Sequence, residues 1–247
     1  MEVHTHTHTP RKKWTHYFWE FLMLFLAVFC GFLAEYQLEH MIENLRARQY
    51  INSFIQDLKM DEKQFDQLIP AFIEKDKLLD TFLQKIRGIN PATGANGTYK
   101  YIRQTFAYPD FVYTDRTIQQ LKNSGGMRVI ENRAVSDSIT SYDAAIRYAA
   151  IGISEGVKDL RVPVMLLSFK LFDLRCCPEL GTSVSPEQFI FPEQGDLLTY
   201  EKKTLTEYFN LVQEIKRQFA LYLLDLKFLK EKNKQVYEYL KKEYNIE

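Results

Sequence analysis

A stretch of 18 residues near the start of the chain, Tyr17 to Ala34, contains a single charged residue, Glu20. A helix rises about 1.5 Å per residue, so this stretch spans roughly 27 Å, close to the ~30 Å hydrocarbon core of a bilayer. Three basic residues, at positions 11–13, lie just before it. An apolar stretch of this length directly behind a basic cluster predicts a helix that crosses a membrane.

Two other interpretations of this stretch stay open: a signal peptide that is removed, and a buried helix of a soluble domain. A cleavage site needs small residues at alternate positions, and the nearest candidate places the bulky Phe32 at one of them. A buried helix gives no reason for two tryptophans, Trp14 and Trp19, at one edge. Both tryptophans fit the aromatic belt of a membrane interface, so the pattern favours an uncleaved anchor in the lipid bilayer.

The predicted membrane helix divides the chain into a tail at 1–16, a transmembrane helix at 17–37 and a large domain at 38–247. Lys and Arg residues close to a membrane tend to stay on its cytoplasmic side. Three of them lie in the tail and two in residues 35–54. The tail is therefore expected in the cytoplasm and the large domain in the periplasm, with the helix in the cell inner membrane.

Composition narrows the class of the large domain. Lys plus Arg equals Asp plus Glu at 32 each, which argues against a nucleic-acid partner, because nucleic-acid binders carry a basic excess. Tyr and Phe number 15 and 18, whereas Gly and Pro number only 10 and 8. Many aromatic residues and few turn formers predict an all-α fold, in which the transmembrane helix continues into an elongated antiparallel bundle.

Apolar residues recur every three or four positions from Leu38 to Phe72, so a helix is predicted to grow directly out of the bilayer. Pro70 is expected to kink or interrupt this helix, and Pro163 to bend or break a later one. The remaining expected elements, in chain order, are a loop at 88–97, a helix at 98–107, an extended piece at 111–114, a helix capped by Asp115, a turn at 123–126, a long helix from about Asn132, a helical piece at 166–174, a loop at 176–196 and a last helix at 196–243.

The last helix carries the clearest pattern of the large domain. Its apolar residues follow one another at alternating steps of three and four, with one polar residue among them, a spacing typical of a coiled coil. Two partners for this seam stay open: the helix that follows the membrane, within one bundle, or a second subunit. The seam residues are Leu205, Tyr208, Val212, Ile215, Phe219, Tyr222, Leu226, Leu229, Asn233, Val236 and Leu240.

Three segments carry a resemblance: KKWTHYFWEFLMLFLAVFCGFLAEYQLEH at 12–40, RARQYINSFIQDLKMD at 46–61 and LKNSGGMRVIENRAVSDSITSYD at 121–143. With them the chain resembles, over most of its length, a family of uncharacterised single-pass bacterial membrane proteins. The shared features are the basic N-terminus, the membrane helix that passes into a charged helix, and a short L.NSGG.R.I segment before a further helix. The resemblance implies a helical extracytoplasmic domain of unknown function and no defined catalytic or binding residue.

All five histidines lie within the first 40 residues. The large domain beyond His40 therefore has no histidine for a Ser-His-Asp, Cys-His or histidine metal site. The chain also shows no phosphate loop and no dinucleotide fingerprint, so we expect no catalytic activity and no cofactor. Four carboxylates leave a carboxylate-based hydrolase open, although a solvated helix face is the simpler explanation: Glu131, Asp137, Asp143 and Glu155.

The tail histidines alternate with threonine, at His4, His6 and His8. In an extended or flexible tail, alternate imidazoles can converge on one Zn²⁺ or Cu²⁺ ion. These three residues are therefore the candidate metal ligands of the chain. A polar tail with incidental metal affinity is the alternative.

Three residues of the transmembrane helix are candidates for contacts within the membrane. An acidic side chain inside a membrane is energetically unfavourable, and Glu20 lies inside this segment. His16 lies four residues earlier on the same face of the helix. Glu20 is expected either to reach the interface, where it can pair with His16, or to contact a partner or a proton pathway. Ala27 and Gly31 form a small-xxx-small step, which lets two helices approach closely in lipid.

Of the three cysteines, Cys30 lies in the predicted transmembrane helix. Cys176 and Cys177 are adjacent, so they cannot link distant parts of the fold. Two packed thiols, a vicinal disulfide and pairing between chains stay open for them.

Two functions follow from these features. The first is a membrane-anchored interaction or scaffold protein of the bacterial cell envelope, assembled as a homo-oligomer or with an envelope protein complex. The continuous helix, the seam and the missing catalytic residues favour it. The second is an extracytoplasmic small-molecule-binding or sensory domain, which needs a membrane partner because the cytoplasmic tail is too short for an output domain.

Overall fold

The computed structural model describes residues 14–176 and 195–246, without the side chains of 150–155 and Cys176. This part of the chain contains no β-strand, and one isolated bridge joins Phe172 to Leu197. The predicted all-α fold is confirmed. The helices are α1 (Trp14–Arg87), α2 (Arg116–Asn123), α3 (Arg133–Leu171) and α4 (Lys202–Tyr244), with 3₁₀ turns at Tyr99–Thr105, Gly126–Val129 and Leu174–Cys176.

Helices α1 and α4 form the two long sides of the bundle and run in opposite directions. At the end next to the predicted transmembrane helix, called the proximal end, Arg48 Nη2 donates a 2.6 Å hydrogen bond to the carbonyl oxygen of Tyr244. At the other end, called the distal end, the guanidinium of Arg87 lies 5.3 Å from the ring centre of Phe209. The antiparallel bundle is therefore confirmed, and the described chain ends at the proximal end.

Helix α3 lies beside α4 and also runs opposite to it. At the proximal end, Asn132 Nδ2 donates a 2.6 Å hydrogen bond to Glu243 Oε1. At the distal end, the rings of Phe172 and Tyr208 lie 5.9 Å apart. The chain thus runs outward along α1, returns through the short elements around α2, runs outward again along α3 and returns along α4.

The seam of α4 forms the central part of the bundle core. Every seam residue is buried except Leu205, which is half-buried. Its rings meet both long neighbours: Phe219 lies 5.6 Å from Phe72 on α1, and Tyr208 contacts Phe172 just after α3. Burial of one such side chain contributes about 1.5–3 kcal/mol. The seam therefore packs within one chain, and supercoiling of the helices stays a prediction.

The two prolines expected to disturb helices lie inside continuous ones. Helix α1 runs through Pro70, and α3 runs through Pro163. A proline inside a helix removes one backbone hydrogen bond and costs about 3 kcal/mol. Around Pro70, the buried side chains of Leu68 and Phe72 anchor both sides in the core, so packing offsets this loss. An interruption at either proline is therefore wrong, and most of 166–174 belongs to α3.

Two expected boundaries also differ from the structure. The predicted helix at 98–107 is a shorter 3₁₀ turn, in which the hydroxyl of Thr105 donates a 2.7 Å hydrogen bond to the carbonyl oxygen of Ile102. Such local side-chain bonds compete with the α-helical pattern. Helix α4 begins at Lys202 and not at 196, because the backbone N–H of Leu198 donates to Leu171 at 2.8 Å.

The connections on either side of α2 follow the prediction. Asp115 stands at the N-cap position of α2, but its side chain caps no backbone N–H and instead accepts a 3.0 Å hydrogen bond from Gln119 Nε2. Asn132 caps α3, since its side chain accepts a 2.9 Å hydrogen bond from the N–H of Ala134. In the turn at 123–126, Gly125 has a φ of 68°, a conformation that residues with a Cβ atom rarely adopt.

Candidate functional site

Within the described residues, α1 is the one helix that is long and apolar enough to cross a membrane. The bundle covers none of its apolar window. Trp14 and Trp19, at its start, are 80% and 60% exposed. By length and composition this segment fits the predicted transmembrane helix, and its exposed apolar surface needs an apolar environment outside the bundle.

The predicted pair at the start of this segment is present. Nε2 of His16 lies 3.1 Å from Oε1 of Glu20, and each side chain is about half exposed. Ala27 and Gly31 also lie on the exposed surface. A Cβ atom added to Gly31 meets no atom within 4 Å, so this face of α1 has room for a second helix. Contact with such a helix stays a prediction.

The structure does not test the candidate metal site in the N-terminal tail. In residues 14–176 and 195–246, no group of three or more His, Cys, Asp or Glu residues is arranged to hold a metal ion. Several residues singled out in the sequence lie outside the described part: His4, His6, His8, Cys177 and the side chains of Glu155 and Cys176.

A buried network of hydrogen bonds joins α1, α3 and α4. Asp61 on α1 accepts from the hydroxyl of Tyr142 at 2.9 Å and from the N–H of Thr114 at 3.0 Å. The amide of Asn233 donates to the Tyr142 hydroxyl at 2.8 Å and to the carbonyl oxygen of Leu58 at 3.0 Å. Burial raises the pKa of Asp61, and its hydrogen bonds partly oppose that shift. The network holds three helices in one register.

Asp57, one turn before Asp61, binds the start of α2. Its Oδ2 accepts a 3.0 Å hydrogen bond from the N–H of Thr117, and its Oδ1 accepts one of 2.6 Å from Arg116 Nε. The first N–H groups of a helix have no partner inside the helix and favour a negative charge. Asp57 therefore fixes α2 on the surface of α1.

Asp143 on α3 corrects one expectation from the sequence. It was expected on a solvated helix face, but it is only 3% exposed. Its carboxylate accepts hydrogen bonds from Lys122 Nζ at 2.5 Å and Arg147 Nε at 2.9 Å. The expectation holds for Asp137 and Glu131, whose side chains are 72% and 62% exposed. The ion pair between Asp143 and Lys122 thus joins α3 to α2.

Lys75 on α1 is a buried cation that was not predicted from the sequence. Its Nζ donates to the carbonyl oxygen of Ala107 at 2.5 Å and to Oε1 of Gln104 at 3.4 Å. It also lies 4.9 Å from the ring centre of Phe219. No carboxylate in the described part of the chain pairs with it, and burial lowers the pKa of Lys75 to about 7.

A cleft of about 440 Å³ opens at the distal end, between the end of α1 and the first turns of α4. Its lining comes from residues 86–91 and 200–209, two stretches that are far apart in the sequence. The lining includes the apolar side chains of Ile86 and Leu205 and two cationic ones, Arg87 and Lys202. This distal cleft was not predicted from the sequence.

Three apolar side chains lie on the outer surface of α4. Leu221, Leu224 and Phe228 are 45%, 60% and 61% exposed, and their spacing of three and four residues places them on one face. We name this set the outer face of α4. Neighbouring exposed apolar residues of this kind are typical of a contact surface.

No protein-family model, curated protein or solved structure matches the chain. The family resemblance found in the sequence therefore stays a prediction.

Proposed function

We propose that this chain is a membrane-anchored helical interaction protein of the bacterial cell envelope, without catalytic activity. One observation carries the proposal: α1 runs unbroken for 74 residues, from the apolar segment to the distal end of the bundle. At 1.5 Å per residue, such a helix is about 110 Å long. A continuous helix holds the surfaces of the bundle at fixed distances from the membrane, as a scaffold requires.

The interior of the bundle supports an interaction role over a catalytic one. Asp61 and Asn233 are buried, and each forms a hydrogen bond with the hydroxyl group of the buried Tyr142. Asp57 and Asp143 bind groups of α2 and α3. Because the carboxylates of the core serve to hold helices together, the outer surfaces are the parts left for contact with other molecules.

The proposed location is the inner membrane, with residues 1–16 in the cytoplasm and the bundle in the periplasm. The basic residues at positions 11–13 support this orientation. The proposed partner is a second membrane or envelope protein, or another copy of the chain. The outer face of α4 and the open face at Ala27 and Gly31 are the surfaces offered to it.

A photo-crosslinking amino acid at Leu224 tests this proposal in the full-length chain, in its native membrane. The matched control carries the same group at Lys234, which is exposed on the polar side of α4. We expect a discrete cross-linked species from position 224 and none from 234, with the partner named by mass spectrometry after purification in mild detergent. A monomer without cross-links from either position contradicts the proposal.

A second function, binding of a small molecule by the extracytoplasmic domain, is favoured by the distal cleft. Its volume of about 440 Å³ lies in the range of small-molecule sites, which is about 300–1,000 Å³. In this version the bundle passes the signal to a membrane partner. The two functions are compatible, since the cleft and the outer face of α4 are separate surfaces.

A further inference from the structure

Two cations of the distal cleft have no carboxylate partner in the described part of the chain. The guanidinium of Arg87 stacks on Phe209 at 5.3 Å, and within residues 14–176 and 195–246 Lys202 forms no ion pair. Another lysine of α4, Lys230, does form an ion pair: its Nζ lies 2.6 Å from Asp66 Oδ1. The cleft therefore keeps two positive charges available to a ligand.

The acids nearest in sequence, Glu201 and Asp196, contact hydroxyl groups and form no ion pair with Arg87 or Lys202 in the described part of the chain. Glu201 Oε2 accepts a 2.7 Å hydrogen bond from the hydroxyl of Thr204. Asp196 Oδ1 accepts a hydrogen bond from the hydroxyl of Tyr200. Neither Glu201 nor Asp196 lines the cleft, and no other described lining residue is acidic. The described lining thus carries two cations and no acid, although the whole chain has no net charge.

The walls of the cleft are mainly apolar and include two aromatic rings. The hydrogen bond to Asp196 holds the ring of Tyr200 in place, and Phe209 is held beneath Arg87. Ile86 is buried and forms part of the wall, together with Leu205. Flat apolar groups pack well against fixed aromatic rings, with ring centroids typically about 4.5–7 Å apart.

We propose that the distal cleft binds a small organic anion with an aromatic body, of the class of aromatic carboxylates. The aromatic body packs between Tyr200 and Phe209, and the carboxylate meets Arg87 and Lys202. A carboxylate is the natural partner of a guanidinium, which binds it through two parallel N–H groups. This inference rests on the second proposed function and is independent of the first.

The test measures binding of 2-naphthoate to the full-length chain in phosphatidylcholine nanodiscs by titration calorimetry, with empty nanodiscs subtracted. The neutral analogue 2-naphthamide has the same shape without the charge. For a ligand of this size we expect a Kd of about 0.1–1 mM for 2-naphthoate and much weaker binding of the amide. Arg87→Gln and Lys202→Gln each weaken 2-naphthoate binding by about 3- to 10-fold, because the cleft is partly open to solvent.

The matched control is Lys203→Gln, which removes the same charge from the same helical turn but does not line the cleft. We expect less than about a 2-fold change for it, since water and salt screen an exposed charge. Equal binding of acid and amide, an equal loss in the control, or no binding to the wild-type chain overturns the inference. Each of these results leaves the cross-linking test on α4 unaffected, so the two proposals fail separately.

Discussion

The side-chain amide of Asn233 on α4 donates a 2.8 Å hydrogen bond to the hydroxyl oxygen of Tyr142 on α3. Tyr142 donates in turn to Asp61 on α1, so three helices meet at one buried oxygen. Sliding α4 by one turn would leave these groups unpaired in the core, at a cost of about 1–3 kcal/mol each. The one polar residue of the seam therefore selects the register of the bundle.

Tyr142→Phe tests this relationship. The substitution removes a donor from Asp61 and an acceptor from Asn233, and leaves both buried. We expect the free energy of unfolding to fall by about 1–3 kcal/mol. The measurement is denaturant unfolding of the full-length chain in a fixed detergent. Tyr148→Phe, on the same helix but 80% exposed, is the control and should change stability by less than about 0.5 kcal/mol. Equal effects of the two variants contradict the role of the network.

The seam of α4 was predictable because its pattern persists over ten helical turns. A 3,4 spacing of that length has few alternatives to a buried helix face, and the buried residues of α4 follow it from Tyr208 to Leu240. The membrane segment was predictable for a similar reason, since its length and composition match a bilayer. Asn233 stands out in the sequence because it is the one polar residue of the seam. Its contact with Tyr142 could not be predicted, because it depends on how α3 packs against α4.

The apolar pattern of a helix does not by itself predict its buried charged residues, which lie between the apolar positions. Lys75 lies three residues after the buried Phe72 and four before the buried Leu79, so it occupies a core position. Asp143 lies four residues after the buried Ile139 and three before Ile146. This spacing was a usable signal in both cases. The distal cleft had no such signal, because distant segments meet there only in the folded chain.

Lys75→Met tests the cost of a buried amine. In the folded protein the pKa of Lys75 is about 7, below its ordinary value of 10.5. Between these pH values only the unfolded chain binds the proton, so the lysine makes stability rise with pH over that range. At pH 6 both states are protonated, and the folded state bears the full desolvation cost. The variant should therefore be more stable than wild type at pH 6, by about 1–4 kcal/mol.

At pH 10 this advantage should shrink, because the wild-type amine is then neutral in the folded protein and keeps its hydrogen bond to Ala107. Unfolding curves of both proteins at the two pH values give the difference. Lys77→Met is the control, since that side chain is 70% exposed, and it should shift stability by less than about 0.5 kcal/mol. A gain of the same size at pH 6 and pH 10 would show that the charge of Lys75 is not its cause.

Gly195→Ala tests a close approach at the distal end. A Cβ atom on Gly195 overlaps the ring of Tyr99, which is buried. That ring cannot move freely, because its hydroxyl donates to Asp196 at 2.7 Å and accepts from the N–H of Asp173 at 3.2 Å. We expect a loss of about 1–3 kcal/mol in the free energy of unfolding, as for other overpacked cores.

Gly88→Ala is the matched control for Gly195→Ala. Its added Cβ atom lies 3.6 Å from the carbonyl oxygen of Lys85, an ordinary contact, and neither glycine has a positive φ. The control should therefore change stability by less than about 0.5 kcal/mol. A smaller loss at Gly195 than at Gly88 would mean that the ring of Tyr99 yields.

Cysteine labelling tests the proposed orientation in the membrane. In a chain whose three cysteines are replaced by serine, Lys234→Cys places a thiol on the exposed surface of α4, and Glu2→Cys places one in the tail. If the basic residues at 11–13 hold the tail in the cytoplasm, a membrane-impermeant maleimide labels position 234 in intact spheroplasts and position 2 only after lysis. The reverse pattern contradicts the orientation, and labelling of both positions in intact spheroplasts contradicts a single crossing by α1. Either result would remove the periplasmic location on which the proposed contacts of α4 depend.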